Sequence, residues 1–275
     1  MVPKAFALGT DIWDPSHRFE TSWLLPPWLL FFCRALFSLY IFTALVFILA
    51  WNCVNTETHC AASRDQFSYF TSLTYWGLGF YFLVAAIHTF TYARSGVPVL
   101  DRFPRFLQAL HSAYYTTVVV FPFVVTIFYW GRLYSGHWFT EQFNGWSNVS
   151  QHAMNSLFAM FEIVVSRTNP PPAVHMIWII IILALYLALG YLTHATKGFY
   201  PYDFLNPATQ HGYVAAYVFG IAVGSLIVFG VVWGLIWLRR HVSEKKLGKE
   251  GKFARPPHSA GLGDVEMTGR KEALR

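Results

Sequence analysis

Six stretches of this chain stay apolar for about twenty residues each, the length a helix needs to cross a hydrocarbon core of about 30 Å. They run from Trp28 to Trp51, Phe70 to Tyr92, Ala109 to Trp130, Trp146 to Val165, Val174 to Thr196 and Tyr213 to Leu238. The pattern predicts an all-α, polytopic integral membrane protein with six transmembrane helices. A polar N-terminal segment would occupy residues 1–27, the helical domain 28–238, and a basic, disordered tail 239–275. The fourth stretch stands apart because Asn148, Gln151, His152, Asn155 and Glu162 all lie inside it.

Composition agrees with a lipid solvent. The chain is 55% hydrophobic and 12% charged, with a mean hydropathy of +0.39, too apolar for one aqueous core. The 19% aromatic content fits helix ends that carry Trp and Tyr at the headgroup level.

The net charge of +6 sits almost wholly at one end: from Arg239 onward there are ten Lys or Arg against five Asp or Glu. That distribution speaks of membrane orientation rather than nucleic acid, and no phosphate-binding loop, zinc spacing or nucleic-acid motif occurs. Arg94, Arg102 and Arg105 share the loop after the second stretch, whereas Arg64, Arg132 and Lys197 stand one to each outer loop and Arg167 follows the fourth stretch. Both termini are therefore expected in the cytoplasm, with Arg239, Arg240, Lys245 and Lys246 drawn to anionic headgroups. Residues 1–22 hold Asp11, Asp14, Arg18 and Glu20 and no apolar cleavage signal, so the first helix would double as an uncleaved targeting signal.

Cys53 and Cys60 fall in the first outer loop, where a short disulfide and two free thiols are both open readings; Cys33 is a small buried hydrophobe. Asn148-Val149-Ser150 matches the glycosylation sequon but sits too close to the bilayer for modification. Gly220, Gly224, Gly230 and Gly234 notch the last helix, for close packing inside the chain or against a second copy.

Ionisable groups at membrane depth are costly unless partnered, so they are the first functional candidates. Thr74 lies about 6 Å and His152 about 9 Å below the outer ends of their helices. Thr193, His194 and Lys197 approach the same level from the fifth helix. A hydroxyl needs a base to become a nucleophile, and this layer offers one. Threonines in membrane helices also bond the carbonyl one turn back, and Thr71, Thr89 and Thr91 are equal examples. Nearer the inner face, Arg34 and Glu162 are expected to form a charge pair, with His88 beside them as a structural neighbour or a step in a proton path.

Four blocks occur in an order and spacing that resemble the androgen-induced family of multi-pass membrane proteins. They are Phe70-Thr-Ser-Leu-Thr74-Tyr-Trp-Gly, Phe121-Pro122 with Tyr129-Trp130, Gln151-His152-Ala-Met-Asn155 with Glu162, and Thr196-Lys-Gly198-Phe-Tyr200-Pro201-Tyr-Asp-Phe204-Leu205. The likeness extends from about Trp28 to Leu238. Characterised animal members hydrolyse fatty acid esters of hydroxy fatty acids with a threonine and a histidine. The resemblance implies Thr74 as nucleophile and His152 as base; beside that pair, the polar groups Asn148, Asn155 and His194 are the candidates to orient the histidine or hold the oxyanion. The resemblance also implies membrane lipids and an acyl ester as partners, with no cofactor and no metal; with no retrieval signal at Arg275, the endoplasmic reticulum and the plasma membrane are both open as locations. The fourth block also resembles the rolling-stone family, which points instead to a non-enzymatic scaffold or interaction protein; a solute or proton conduit is the other such reading. The long first outer loop, the charged tail and Tyr75-Trp76-Gly77 depart from the animal pattern.

Overall fold

The computed structural model describes residues 13–249 and Gly251. Its helices are α1 (Pro27–Asn55), α2 (Cys60–Asp65), α3 (Phe70–Ser95), α4 (Arg105–Phe128), α5 (Gln142–Val149), α6 (Asn155–Val165), α7 (His175–Lys197), α8 (Pro207–Gln210) and α9 (Tyr213–Arg240). Pro27 opens α1, where a missing amide hydrogen costs nothing. Gly96 and Gly198, left-handed at φ 74° and 81°, end α3 and α7, and their amides donate to Tyr92 O and His194 O.

Five helical rods are long and apolar enough to cross a membrane: Pro27–Asn55, Phe70–Ser95, Arg105–Leu133, His175–Lys197 and Tyr213–Lys246. The chain is a helical integral membrane protein. The stretch expected from Trp146 to Val165 is not among the five. It is a broken run in which a π-turn, Ser150–Met154, separates α5 from α6, and its polar side chains dilute the hydropathy.

α1 and α3 pack closest. A Cβ on Gly79 would stand 2.9 Å from Ile41 Cγ2 and 3.4 Å from the Phe42 ring, so the glycine lets the two backbones approach. Ser38 Oγ uses that proximity to donate to Gly79 O at 3.1 Å. A Cys53–Cys60 disulfide closes the following loop, deciding between the two readings of the cysteines. Beneath it Phe37, Phe82 and Phe158 meet with ring centroids 4.8–6.3 Å apart.

One charge pair ties the opposite end of the bundle. Arg34, wholly buried on α1, grips Glu162 of α6 with two parallel bonds of 2.7 and 2.8 Å. Its third nitrogen donates to Thr89 Oγ1 on α3 and to Phe19 O, and Ser166 Oγ donates to Glu162 Oε2. The expected pair thus forms with all three guanidinium nitrogens and both carboxylate oxygens engaged. His88 does not join it. Both His88 ring nitrogens are buried without a hydrogen bond among the described residues, and the ring lies edge-on to Phe103 and His111.

The described part of the polar N-terminal segment, residues 13–26, is folded onto this end. Ser22 and Ser166 form an antiparallel bridge, Ser22 Oγ and Trp23 Nε1 donate to Val165 O and Val164 O, and Arg18 holds Glu244 at 2.6 and 3.0 Å. The segment before α1 and the last turns after α9 therefore lie at one end of the bundle. Glu20 is buried here. Loss of water pushes its carboxyl well above the usual carboxylate range, and the Asp14 and Asp101 charges push the same way.

Three expectations change. The last helix does not stop at Leu238 but runs through Arg240 into a π-turn, His241–Lys246. Arg239 turns inward, buried, to donate to Ile163 O and Thr168 O rather than to a headgroup. Gly220, Gly224, Gly230 and Gly234 face open space, with nothing within 4 Å of an added Cβ, so no helix among the described residues fills those notches. The disorder expected of residues 250 and 252–275 lies outside the described residues.

Removing one partner of a buried pair strands the other charge at a cost of about 3–5 kcal/mol. Arg34→Met should destabilise the protein by that amount in equilibrium unfolding in mixed micelles, and Arg34→Met with Glu162→Met should recover most of it. A double variant as unstable as the sum of the singles would show that the two groups do not act as a pair.

Candidate active site and acyl cavity

The break in the fourth stretch has a local cause. In an unbroken α-helix the Ser156 amide would bond His152 O. Here that amide donates to the side-chain oxygen of Asn155 at 2.7 Å. His152 O is taken by Thr126 Oγ1 at 2.7 Å and Trp130 Nε1 at 2.9 Å. The ladder slips into a π-turn, a distortion that recurs at functional sites. A second π-turn, Tyr129–Leu133, extends α4 directly opposite.

His152 is the contact between the two. Its ring stacks on Tyr129 with centroids 3.6 Å apart and planes 16° apart. Nδ1 lies 3.0 Å from Asn148 O. A carbonyl only accepts, so Nδ1 carries the proton and Nε2 keeps the lone pair. Asn148 also accepts from Tyr129 OH at 2.6 Å through its side-chain oxygen. Asn148 and Asn155 therefore both shape the surroundings of His152, one holding the ring and one opening the turn.

The remaining expected members sit elsewhere. Thr74 Oγ1 donates within its own helix to Phe70 O at 2.9 Å and Thr71 O at 3.0 Å. No hydrogen bond joins it to His152 among the described residues. His194 is exposed and stacks on Tyr200 at 4.0 Å, away from both. The one hydroxyl–imidazole bond among the described side chains is Thr116 Oγ1 to His175 Nδ1, at 2.6 Å. It ties α4 to α7, and Thr116 also donates to Ser112 O, so the imidazole is the donor there. Neither Arg34, His88 nor Glu162 lines a described cavity, and among the described residues no group of His, Cys, Asp or Glu is placed to hold a metal ion.

Beside the π-turn Tyr129–Leu133 lies a cavity of about 270 Å³ among α3, α4, α7 and α9, close to the lower bound of small-molecule sites, about 300 Å³. Its walls are almost wholly apolar, including Val125, Phe128, Leu187 and Ala222. Thr71, one turn before Thr74, and Tyr129, the stacking partner of His152, both line it. Ile180 and Phe219 on its edge are exposed, which opens it sideways between α7 and α9. Tyr186 and Tyr202 place hydroxyls at one end, where Tyr186 OH donates to Ser68 O.

No protein-family model, curated protein or solved structure matches this chain.

Sequence reading missed Thr126, Tyr129 and Trp130 as the groups that set His152. The signal available was the polarity of the fourth stretch, which demands partners from a neighbouring helix without saying which. The tautomer is directly testable: nitrogen NMR of histidine-labelled protein should show His152 protonated at Nδ1 alone. A proton on Nε2 alone would contradict this arrangement.

Proposed function

We propose that the chain is a six-crossing membrane protein that takes a lipid acyl chain into the cavity among α3, α4, α7 and α9. The observation that carries this reading is the cavity itself: apolar on nearly every wall, open sideways between two helices, and bordered by only a few hydroxyls. An acyl chain entering from the bilayer would exchange one apolar surround for another while its ester or head stayed by the tyrosines. The even number of crossings rests on the broken run from Gln142 to Val165 serving as the sixth. The juxtaposition of the N-terminal segment with the end of α9 supports it, since an odd number would separate them. The excess of Lys and Arg at that end supports its placement in the cytoplasm. A photoactivatable acyl lipid in nanodiscs should label residues of α7 and α9 lining the cavity, and Ala222→Trp, which fills it, should reduce labelling severalfold. Equal labelling of the filled variant would sink the assignment.

The second reading is hydrolysis of the bound lipid ester, favoured by the lone pair left on His152 Nε2 and by the resemblance to the androgen-induced family. Thr74 Oγ1, released from its backbone carbonyls by rotation about χ1, would attack the ester carbonyl while His152 Nε2 takes its proton. The leaving alcohol would depart with that proton, and water would then cleave the acyl–threonine ester. Purified protein should hydrolyse fatty acid esters of hydroxy fatty acids, and Thr74→Ala or His152→Ala should lower turnover at least a hundredfold, within the usual worth of a nucleophile–base pair. Turnover surviving both substitutions would leave binding without this chemistry.

A further inference from the structure

The cavity has a charged group at its mouth that neither reading uses. Arg132 lies in the π-turn Tyr129–Leu133, whose first and last residues line the cavity, while its own side chain is exposed. It reaches across to α9, where Nη2 donates to Tyr217 OH at 3.1 Å and the guanidinium sits 5.7 Å from the centre of the Tyr217 ring. Tyr217 in turn packs against Phe204, a lining residue, with centroids 5.5 Å apart, and precedes Val218, another. The arginine therefore bridges the two helices that frame one end of the cavity.

Its charge is unspent. Among the described residues no carboxylate forms an ion pair with Arg132, whereas Arg18, Arg34, Arg240 and Lys197 all have one. Asp203, in the loop between the lining residues Tyr202 and Phe204, is exposed and makes no ion pair with it. The tyrosine contact holds the guanidinium in place through one nitrogen and the ring face and leaves the remaining N–H groups for an acceptor.

Resting on the acyl-binding reading above, we propose that Arg132 selects the occupant of the cavity by its head: a single-chain lipid ending in a carboxylate. The planar fork of a guanidinium matches a carboxylate bidentately, and a charge-assisted bond of this kind is about twice as strong as a neutral one. A cavity of about 270 Å³ has no room for two acyl chains, which argues against a two-chain phospholipid, and a single cation matches a singly charged head. Arg132 thus acts as a specificity residue, setting which lipid is held while the apolar walls set that a lipid is held.

The test compares oleate with methyl oleate at pH 8, bound to full-length protein in nanodiscs of zwitterionic lipid and read by native mass spectrometry, with lysophosphatidic acid as a phosphate-headed competitor. Wild type should prefer oleate over methyl oleate by roughly tenfold, in line with one charge-assisted contact. Arg132→Gln should remove most of that preference by weakening oleate, and Arg132→Lys should restore only part of it. A preference for oleate that survives Arg132→Gln overturns the proposal, as does equal binding of the two ligands by wild type or displacement of oleate by lysophosphatidic acid at lower concentration. Ala222→Trp separates the two layers of argument: it should weaken both ligands together. Failure of wild type to bind either ligand would remove the acyl cavity and this proposal with it.

Discussion

A guanidinium and a carboxylate placed in a region of low dielectric repel folding unless both are fully engaged, because the desolvation of each costs several kcal/mol. Arg34 and Glu162 meet that condition: two parallel bonds between them, Thr89 and Phe19 O for the remaining donor, Ser166 for the remaining acceptor. Each of those groups comes from a different part of the chain, so the pair is closed only when α1, α3, α6 and the N-terminal segment are all in place. The shape of one end of the bundle follows from that requirement. The segment before α1 is held down because its Phe19 carbonyl completes the charge pair, and its own Arg18 then reaches Glu244.

The other end is organised by a different economy. There the fourth stretch carries more polar side chains than a helix can satisfy internally, and the surplus is met by α4: Thr126 and Trp130 bond the His152 carbonyl, Tyr129 bonds Asn148 and stacks on His152. Two π-turns are the geometric result. The apolar cavity lies against one of them, Tyr129–Leu133, whose first and last residues line it.

Five of the six expected crossings were readable from hydropathy, because crossing a bilayer requires a length and a composition that few other structures share. The Arg34–Glu162 pair was readable for a related reason: two opposite charges at a similar depth have few alternatives to each other. Other features were not. Whether Cys53 and Cys60 pair depends on how the loop turns, which spacing leaves open. Thr74 and His152 share a level, but depth says nothing about the direction a side chain faces around its helix, and Thr74 is occupied by Phe70 O and Thr71 O. Arg239 belongs to a basic run and reads as a surface cation, yet two backbone carbonyls left free where α6 ends draw it inward. The glycines of α9 read as packing notches, and only the position of every other helix shows that none lies against them. In each case the missing quantity was azimuth or a partner distant in sequence.

The bond between Arg18 and Glu244 joins residues 226 positions apart, and that separation has a bearing on biosynthesis. Domains generally form as the chain emerges, N-terminal parts first. Here a residue ahead of α1 finds its counterpart just after α9. Until α9 has been inserted, the clasp has only one half, and the backbone that docks on Ser166 has no lock behind it. A nascent chain halted before α9 would thus present a recognisably open end to the machinery that sorts finished membrane proteins from unfinished ones.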